Sequence, residues 1–400
     1  MAQTATLLPL AGIRVLEFTQ NIMGPSAGLV LADLGAEVTK IEPAPAGEST
    51  RRLGGFAAGF FGYFNRNKRS LAVDLKQPAG QALVHRLAAQ ADIVIENYAP
   101  GTMDRLGCGY DALAALNPRL IYCALKGFLS GPYEHRPALD EVVQFMGGLA
   151  YMTGPPGQPL RAGTSVVDIM GGAFGVIAIL AALRERDATG NGQLVKSALF
   201  ETTVFMMGQH MAGEAITGEE APPMSARRGG WGIYQIFATR DGSQLFVGVT
   251  SNNHWRRFCE TFDRPDLLAD PRLDSNEKRV AAREFLIPIV SALLAGYDKA
   301  AIIAKCESAD IPYAPVAKVA DLTTDPHLAA SGSLVEVMLP GNGRTKLPRL
   351  PIEMGGRKTG LRHEPPRIGE QTREILAEAG FGEDEIAALL RDGIVVADAT

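Results

Sequence analysis

A lone carboxylate, Asp168, sits in AGTSVVDIMGGAFGVIAILAAL, between a stretch of small and β-branched residues and a long apolar run. Downstream, Ile169, Ala173, Val176, Ile177, Leu180 and Leu183 recur at three- and four-residue steps, the spacing of an apolar helix face. That places Asp168 at a helix N-terminus, where an acid accepts a bond from an orphan backbone N–H. The same position can orient a carboxylate for chemistry, and position alone leaves both roles open. A second acid, Asp140, opens another helical run, EVVQFMGGL, and reads equally well as the N-cap of that helix. Positive charge gathers in NRNKRS (Asn65 to Ser70) and SARRGG (Ser225 to Gly230). In an acidic chain such clusters suit a discrete anionic ligand, or else a solvated surface.

Other chemistries lack their motifs. Cys108, Cys123, Cys259 and Cys306 are scattered with no CxxC pair, and the six histidines form no HExxH, so no metal site is expected. No Walker A sequence occurs and no GxGxxG follows the first strand, which argues against P-loop and nicotinamide nucleotides. A formal net charge of −5 without a long basic run argues against nucleic acid and membrane as partners. The N-terminus lacks the basic and apolar regions of a secretory signal, and the apolar run Ile169 to Leu183 is too short to cross a bilayer. Together with the sparse cysteines, this points to a reducing cytoplasm.

The elements that must position these residues alternate. IRVLEFT, AEVTKIE, RSLAVDL, DIVIENY and RLIYCALKGF read as strands, separated by helical stretches such as NIMGPSAGLVLADLG and QPAGQALVHRLAAQA. Such βαβα alternation predicts an α/β, Rossmann-like domain with a parallel, helix-covered sheet. After GQLVKSAL and a helix from Leu199 to Ile216, the segment TGEEAPPMSARRGGWG breaks the pattern. YQIFATRDGSQLFVGVT reads as a hairpin turning at Asp241-Gly242. At 400 residues the chain is expected to hold a large domain over 1–225, a smaller α+β domain over 226–325, and a return to the large domain over 326–400.

Taken in order, four segments closely resemble the family III CoA-transferases: LAGIRVLEFTQNIMGPSAGLVLADLGAEVTKIEPAPAGESTR, YFNRNKRSLAVDLKQPAGQALVHRLAAQADIVIENYAPGTMDRLG, NPRLIYCALKGFLSGPY and DIMGGAFGVIAILAALRERDATGNGQLVKSAL. That family includes formyl-CoA and carnitine CoA-transferases, and alpha-methylacyl-CoA racemase shares its fold. The resemblance implies transfer of CoA from an acyl-CoA donor, such as succinyl-CoA or another dicarboxylyl-CoA, to a free carboxylic acid. Asp168 matches the family's nucleophile, which carries CoA as an aspartyl thioester. Coenzyme A is then a substrate, with no permanently bound cofactor. Family CoA contacts fall on Gln20, Asn21, Asn97 and Arg105, and Lys68 and Arg69 lie in a strongly matching motif. The family's active-site glycine loop falls on RRGGWG, with Gly229 and Gly230, and Asp140 is in register with an acid of the transferases. The resemblance also implies an interlocked homodimer, each chain threaded through a ring formed by the other.

Two departures argue against formyl or oxalate specificity. The glycine run is shortened around Trp231, and a glutamine of formyl-CoA transferase corresponds to Ile22. Arg161, Arg227 and Arg228 could instead meet the second carboxylate of a dicarboxylic substrate. One alternative is a racemase or acyl-CoA isomerase. The racemases place a histidine just before an aspartate in this region, whereas here Leu139 precedes Asp140, so one proton-transfer base is missing. The other alternative, a CoA-binding protein without turnover, has no use for Asp168 beside a thioester.

Overall fold

A computed structural model describes residues 8–226, 229–339, 341 and 343–398. The chain divides into two compact units, Met1–Ser225 with Pro326–Thr400, and Ala226–Asp325. In the first unit β1 (Arg14–Phe18), β2 (Glu37–Pro43), β3 (Lys68–Val73), β4 (Ile93–Glu96), β5 (Ile121–Lys126) and β6 (Leu194–Ala198) pair in parallel in the order β3-β2-β1-β4-β5-β6. A two-residue strand, Val395–Val396, adds antiparallel to β3 at one edge. This is the doubly wound order, whose direction reverses between β1 and β4 and opens a crevice at their carboxyl ends.

Helices cover both faces: α1 (Met23–Asp33), α2 (Phe60–Phe64), α3 (Pro78–Ala88), α4 (Thr102–Arg105), α5 (Tyr110–Leu116), α6 (Asp140–Met146), α7 (Leu149–Thr153), α8 (Val166–Thr189) and α9 (Leu199–Thr217). The strand period of two divides the core between the faces. Ile121, Cys123 and Leu125 of β5 join Val176 and Ile179 of α8, while Tyr122 and Ala124 join Leu83 of α3 and Leu113 of α5. At 24 residues, α8 is long and apolar enough by composition to span a bilayer, which the shorter run Ile169 to Leu183 does not suggest. Two glycines seat it directly on α1. A Cβ on Gly172 would lie 2.2 Å from Ser26 Oγ, and one on Gly171 2.7 Å from Met23 Cε.

The NRNKRS motif does a different job from the one expected of it. Lys68 is fully buried, with Nζ 2.8 Å from Glu17 Oε2 and 3.0 Å from both Asn65 Oδ1 and the Pro25 carbonyl. Burial lowers its pKa to about 8, against the pull of Glu17. A Cβ on Gly28 would stand 1.7 Å from Glu17 Oε2, so glycine is required where α1 crosses this pair. Arg69 reaches Glu374 and Glu378 at 3.4 and 2.8 Å. Asn67 (φ 61°) accepts from the backbone of Arg362 and His363 and donates to Asp33 and the Gly360 carbonyl. Lys68, buried against Glu17, offers no face to CoA, which corrects its expected role, while Arg69 pairs at the surface with Glu374 and Glu378. The motif fastens the returning C-terminal segment to the sheet.

In the second unit, β7 (Ile233–Ala238), β8 (Gln244–Val249) and β9 (Tyr313–Pro315) form an antiparallel sheet in sequence order. The β7–β8 hairpin turns through Asp241 and Gly242, whose φ of 73° suits glycine. Helices including Asn252–Thr261 and Arg283–Leu294 pack on it around Trp255, Phe258, Leu286 and Val290.

Candidate active site

Two clusters form in the first unit. At the crevice between β1 and β4, the Gln20 N–H donates to Asn97 Oδ1 at 2.9 Å, and Asn97 Nδ2 returns a bond to the Gln20 carbonyl at 2.8 Å. Asn21 takes the left-handed conformation (φ 63°), and α1 begins two residues later. A Cβ on Gly24 would lie 3.0 Å from Asn97 Cγ, so glycine lets the helix start against this pair. The arrangement offers an anion the positive end of α1 and a rigid polar rim. Arg105 ends α4, which follows β4 along the same sheet edge; its exposed guanidinium bonds Thr102 Oγ1 at 2.9 Å.

The second cluster surrounds Asp168. This residue is third in α8, after the N-cap Ser165, whose hydroxyl makes no capping bond. Asp168 is thus not the cap its position suggests. Asp140 supplies the cap instead, from 28 residues away. Its Oδ2 accepts the N–H groups of Val167 at 2.9 Å and Asp168 at 3.1 Å. Its Oδ1 accepts Gln144 Nε2 at 2.6 Å and faces Arg161 at 3.4 Å. The expected capping of α6 by Asp140 is likewise corrected, because Leu139 is the N-cap of α6 and the Asp140 carboxylate turns to α8. Gln144 closes the frame by accepting the Ala162 N–H at 2.8 Å. Sequence reading missed Gln144, although its place one helical turn after Asp140 puts both on one face.

Asp168 itself is half-buried, and among the described residues nothing donates to its carboxylate. Burial, then the negative charge of Asp140, push its pKa from 3.8 to about 7, and Arg161 opposes them. Near neutral pH the group is poised between acid and carboxylate, rather than held ionised by the helix terminus alone. Ser165 and Ile169, on either side of it, line a cavity of about 700 Å³ with Ile22, Phe56, Phe60, Phe64, Leu160 and Arg161. Such a carboxylate, without a donor among the described residues and flanked in sequence by cavity-lining residues, can attack a carbonyl carbon.

Gly229 and Gly230 belong to the second unit. There Asn276 Nδ2 donates to the Gly230 carbonyl at 2.8 Å, and Arg283 Nη1 to the Trp231 and Gly232 carbonyls at 2.9 Å each. Arg227 and Arg228 lie outside the described residues. Among the described residues no group of three or more His, Cys, Asp or Glu side chains is placed to hold a metal.

Residues 10–372 match the model of CoA-transferase family III. The chain belongs to CoA-transferase family III. It is 34% identical over 397 residues to succinyl-CoA:glutarate CoA-transferase of Mus musculus, covering 98% of this chain and 91% of that one. It is 35% identical over 386 residues to succinate–glutarate CoA-transferase of Agrobacterium fabrum, covering 92% and 95%. A CaiB/BaiF family protein from Brucella suis superposes with a TM-score of 0.84 at 32% identity, covering 94% and 100%. For a family III enzyme the chemistry to explain is movement of CoA between carboxylic acids.

Proposed function

We propose that this enzyme moves CoA from succinyl-CoA, or another dicarboxylyl-CoA, to a free carboxylic acid through a thioester on Asp168. The carrying observation is the Asp168 carboxylate itself, without a donor among the described residues, aligned by the bonds of Asp140 to its helix and flanked by cavity-lining residues. Its attack on the donor thioester gives a mixed anhydride and expels CoA thiolate. The thiolate attacks the aspartyl carbonyl, releasing the donor acid and leaving aspartyl-CoA. The acceptor carboxylate attacks that thioester, again expelling CoA thiolate, which takes the acceptor's acyl carbonyl and frees Asp168. Each half balances, and one difficult exchange becomes activated steps.

In this reading Gln20, Asn21 and Asn97 rim the CoA crevice in a large CoA-binding domain, and Arg105 clamps phosphate oxygens. Arg161 meets a second substrate carboxylate; Arg227 and Arg228, the other two arginines of that expectation, lie outside the described residues. Gly229 and Gly230 are the glycine loop that the family resemblance implies, and within the second unit Asn276 and Arg283 hold the loop's carbonyls. The relatives named for succinyl-CoA and glutarate, and one from Chloroflexus aurantiacus named for D-citramalate, support dicarboxylates as partners. A homodimer, interlocked as in the family, is supported by apolar side chains left exposed on α6, α8 and α9, among them Phe145, Met146, Ile177, Leu180, Phe205 and Met211. Four free, buried cysteines suit a reducing compartment such as the cytoplasm.

Incubation with succinyl-CoA, followed by mass analysis of the peptide containing Asp168, is expected to show the CoA adduct, and hydroxylamine to trap it. An unmodified peptide together with an Asp168→Ala variant of normal rate would overturn the mechanism.

A further inference from the structure

Gln144 is fully buried, one helical turn after Asp140 on α6, and both ends of its amide are committed. Its Oε1 accepts the Ala162 N–H at 2.8 Å. A backbone N–H only donates, so this bond fixes which way the amide points. The Nε2 group is thereby turned onto Asp140 Oδ1, at 2.6 Å. The other contacts of the Asp140 carboxylate are N–H groups as well: Arg161 Nη2 on Oδ1, and Val167 and Asp168 on Oδ2. Among the described residues, four donors and no acceptor meet its two oxygens, an arrangement that the ionised carboxylate alone satisfies. Ala162 follows Arg161 in the chain, and its carbonyl accepts Arg161 Nε at 3.2 Å. The same amide therefore seats the segment that carries the cation.

We propose that Gln144 is a positioning residue, whose amide holds Asp140 as the acceptor for the first turn of α8 and so sets the aim of Asp168 and the charge beside it. The assignment rests on the reading of Asp168 as nucleophile. It goes beyond that reading because Gln144 acts only through Asp140. The charged groups facing Asp168 are Asp140 and Arg161. Glu141 reaches Arg161 from the solvent side at 3.5 Å. The helices α1 and α9 meet the next turn of α8 through Met23, Ser26, Leu199 and Thr202, none of which carries a charge. Control of the nucleophile's surroundings thus passes through Asp140 and Arg161, and the buried amide joins the two.

The test replaces the amide of the full-length enzyme by an acid of the same shape. In Gln144→Glu a protonated carboxyl still donates to Asp140 through its O–H, and its carbonyl oxygen still accepts from Ala162. Once that proton leaves, two carboxylates face each other where the 2.6 Å bond stood, and the arrangement fails. A buried acid beside another carboxylate keeps its proton to about pH 8–9. The kcat/KM of this variant for succinyl-CoA should therefore gain an alkaline limb absent from the wild type. The expected fall is about tenfold or more between about pH 7 and 10, the scale of a slightly misplaced reacting group. Combining Asp140→Asn with Gln144→Glu sets a donor opposite the new acid again and should remove the limb. Ratios across pH within one preparation do not depend on its initial folded fraction, and far-UV circular dichroism follows the fold over the same range. Parallel profiles for wild type and Gln144→Glu overturn the positioning role and leave the transferase reading standing. So does a limb that survives the double exchange, or one that tracks loss of helix. A wild-type enzyme that forms no CoA adduct on Asp168 overturns the nucleophile reading, and this assignment with it.

Discussion

Replacing Asp168 by asparagine should stabilise the protein at alkaline pH while abolishing turnover. In the unfolded chain this carboxyl loses its proton near 3.8, and in the native state near 7. Between those values the native state binds the extra proton, so this group's contribution falls as pH rises and is lost above about 7. A shift of about three units corresponds to at most about 4 kcal/mol. Water reaches the half-buried side chain and screens it, which brings the expected effect to the order of 1–2 kcal/mol. Asp168→Asn never carries the charge, so its stability advantage should grow between pH 5 and pH 8 to that amount. Urea midpoints at both pH values, at one protein concentration, measure the difference directly. A wild-type minus variant difference that is flat with pH, or that favours wild type at pH 8, refutes the account of why this carboxyl is protonated.

Three further outcomes follow from the same geometry. The acidic limb of kcat/KM should fall near pH 7 in the wild type and move to lower pH in Asp140→Asn, which removes the neighbouring charge; coincident limbs in the two profiles would contradict the electrostatic role of Asp140. Lys68→Met should leave the KM for acyl-CoA unchanged but lower stability by about 1–3 kcal/mol, because buried Glu17 loses one of its two lysine partners and keeps Lys40; a raised KM with little loss of stability would return Lys68 to the CoA site. Arg161→Gln should raise KM for dicarboxylates by about tenfold more than for monocarboxylates of equal length, the scale of a charge-assisted bond; equal changes in a steady-state panel would show that Arg161 serves only the Asp140 frame.

Much of the scaffold is legible in the sequence because its signals are local. Short apolar and β-branched runs mark β1 to β5, Pro78 opens α3, and Asp241-Gly242 turns the hairpin. Asp168 is legible as a helix N-terminal acid, but not as an uncapped one. The group that caps its helix, Asp140, lies 28 residues away on another helix, and nothing in either segment encodes their meeting. NRNKRS misleads for the same reason. A basic run before a strand looks like an anion site until Glu17, 51 residues away, and Glu378, 309 residues away, claim its charges. The two-residue strand at Val395 is too short to leave a periodic trace.

The fastening of the C-terminal segment also sets an order of events during synthesis. Asn67 finds its partner His363 only after 296 more residues have been made, and β3 finds its edge strand later still. At about 5–20 residues per second, that wait is roughly 15–60 s. For that time the nascent sheet carries an open β3 edge, and Asn67 and Ser70 lack the partners that residues 360–371 later supply. A chain stopped before residue 360 therefore keeps an exposed strand edge, the feature that invites wrong pairing and capture by chaperones. Residues 360–396 are what close the β3 edge that residues 68–73 leave open.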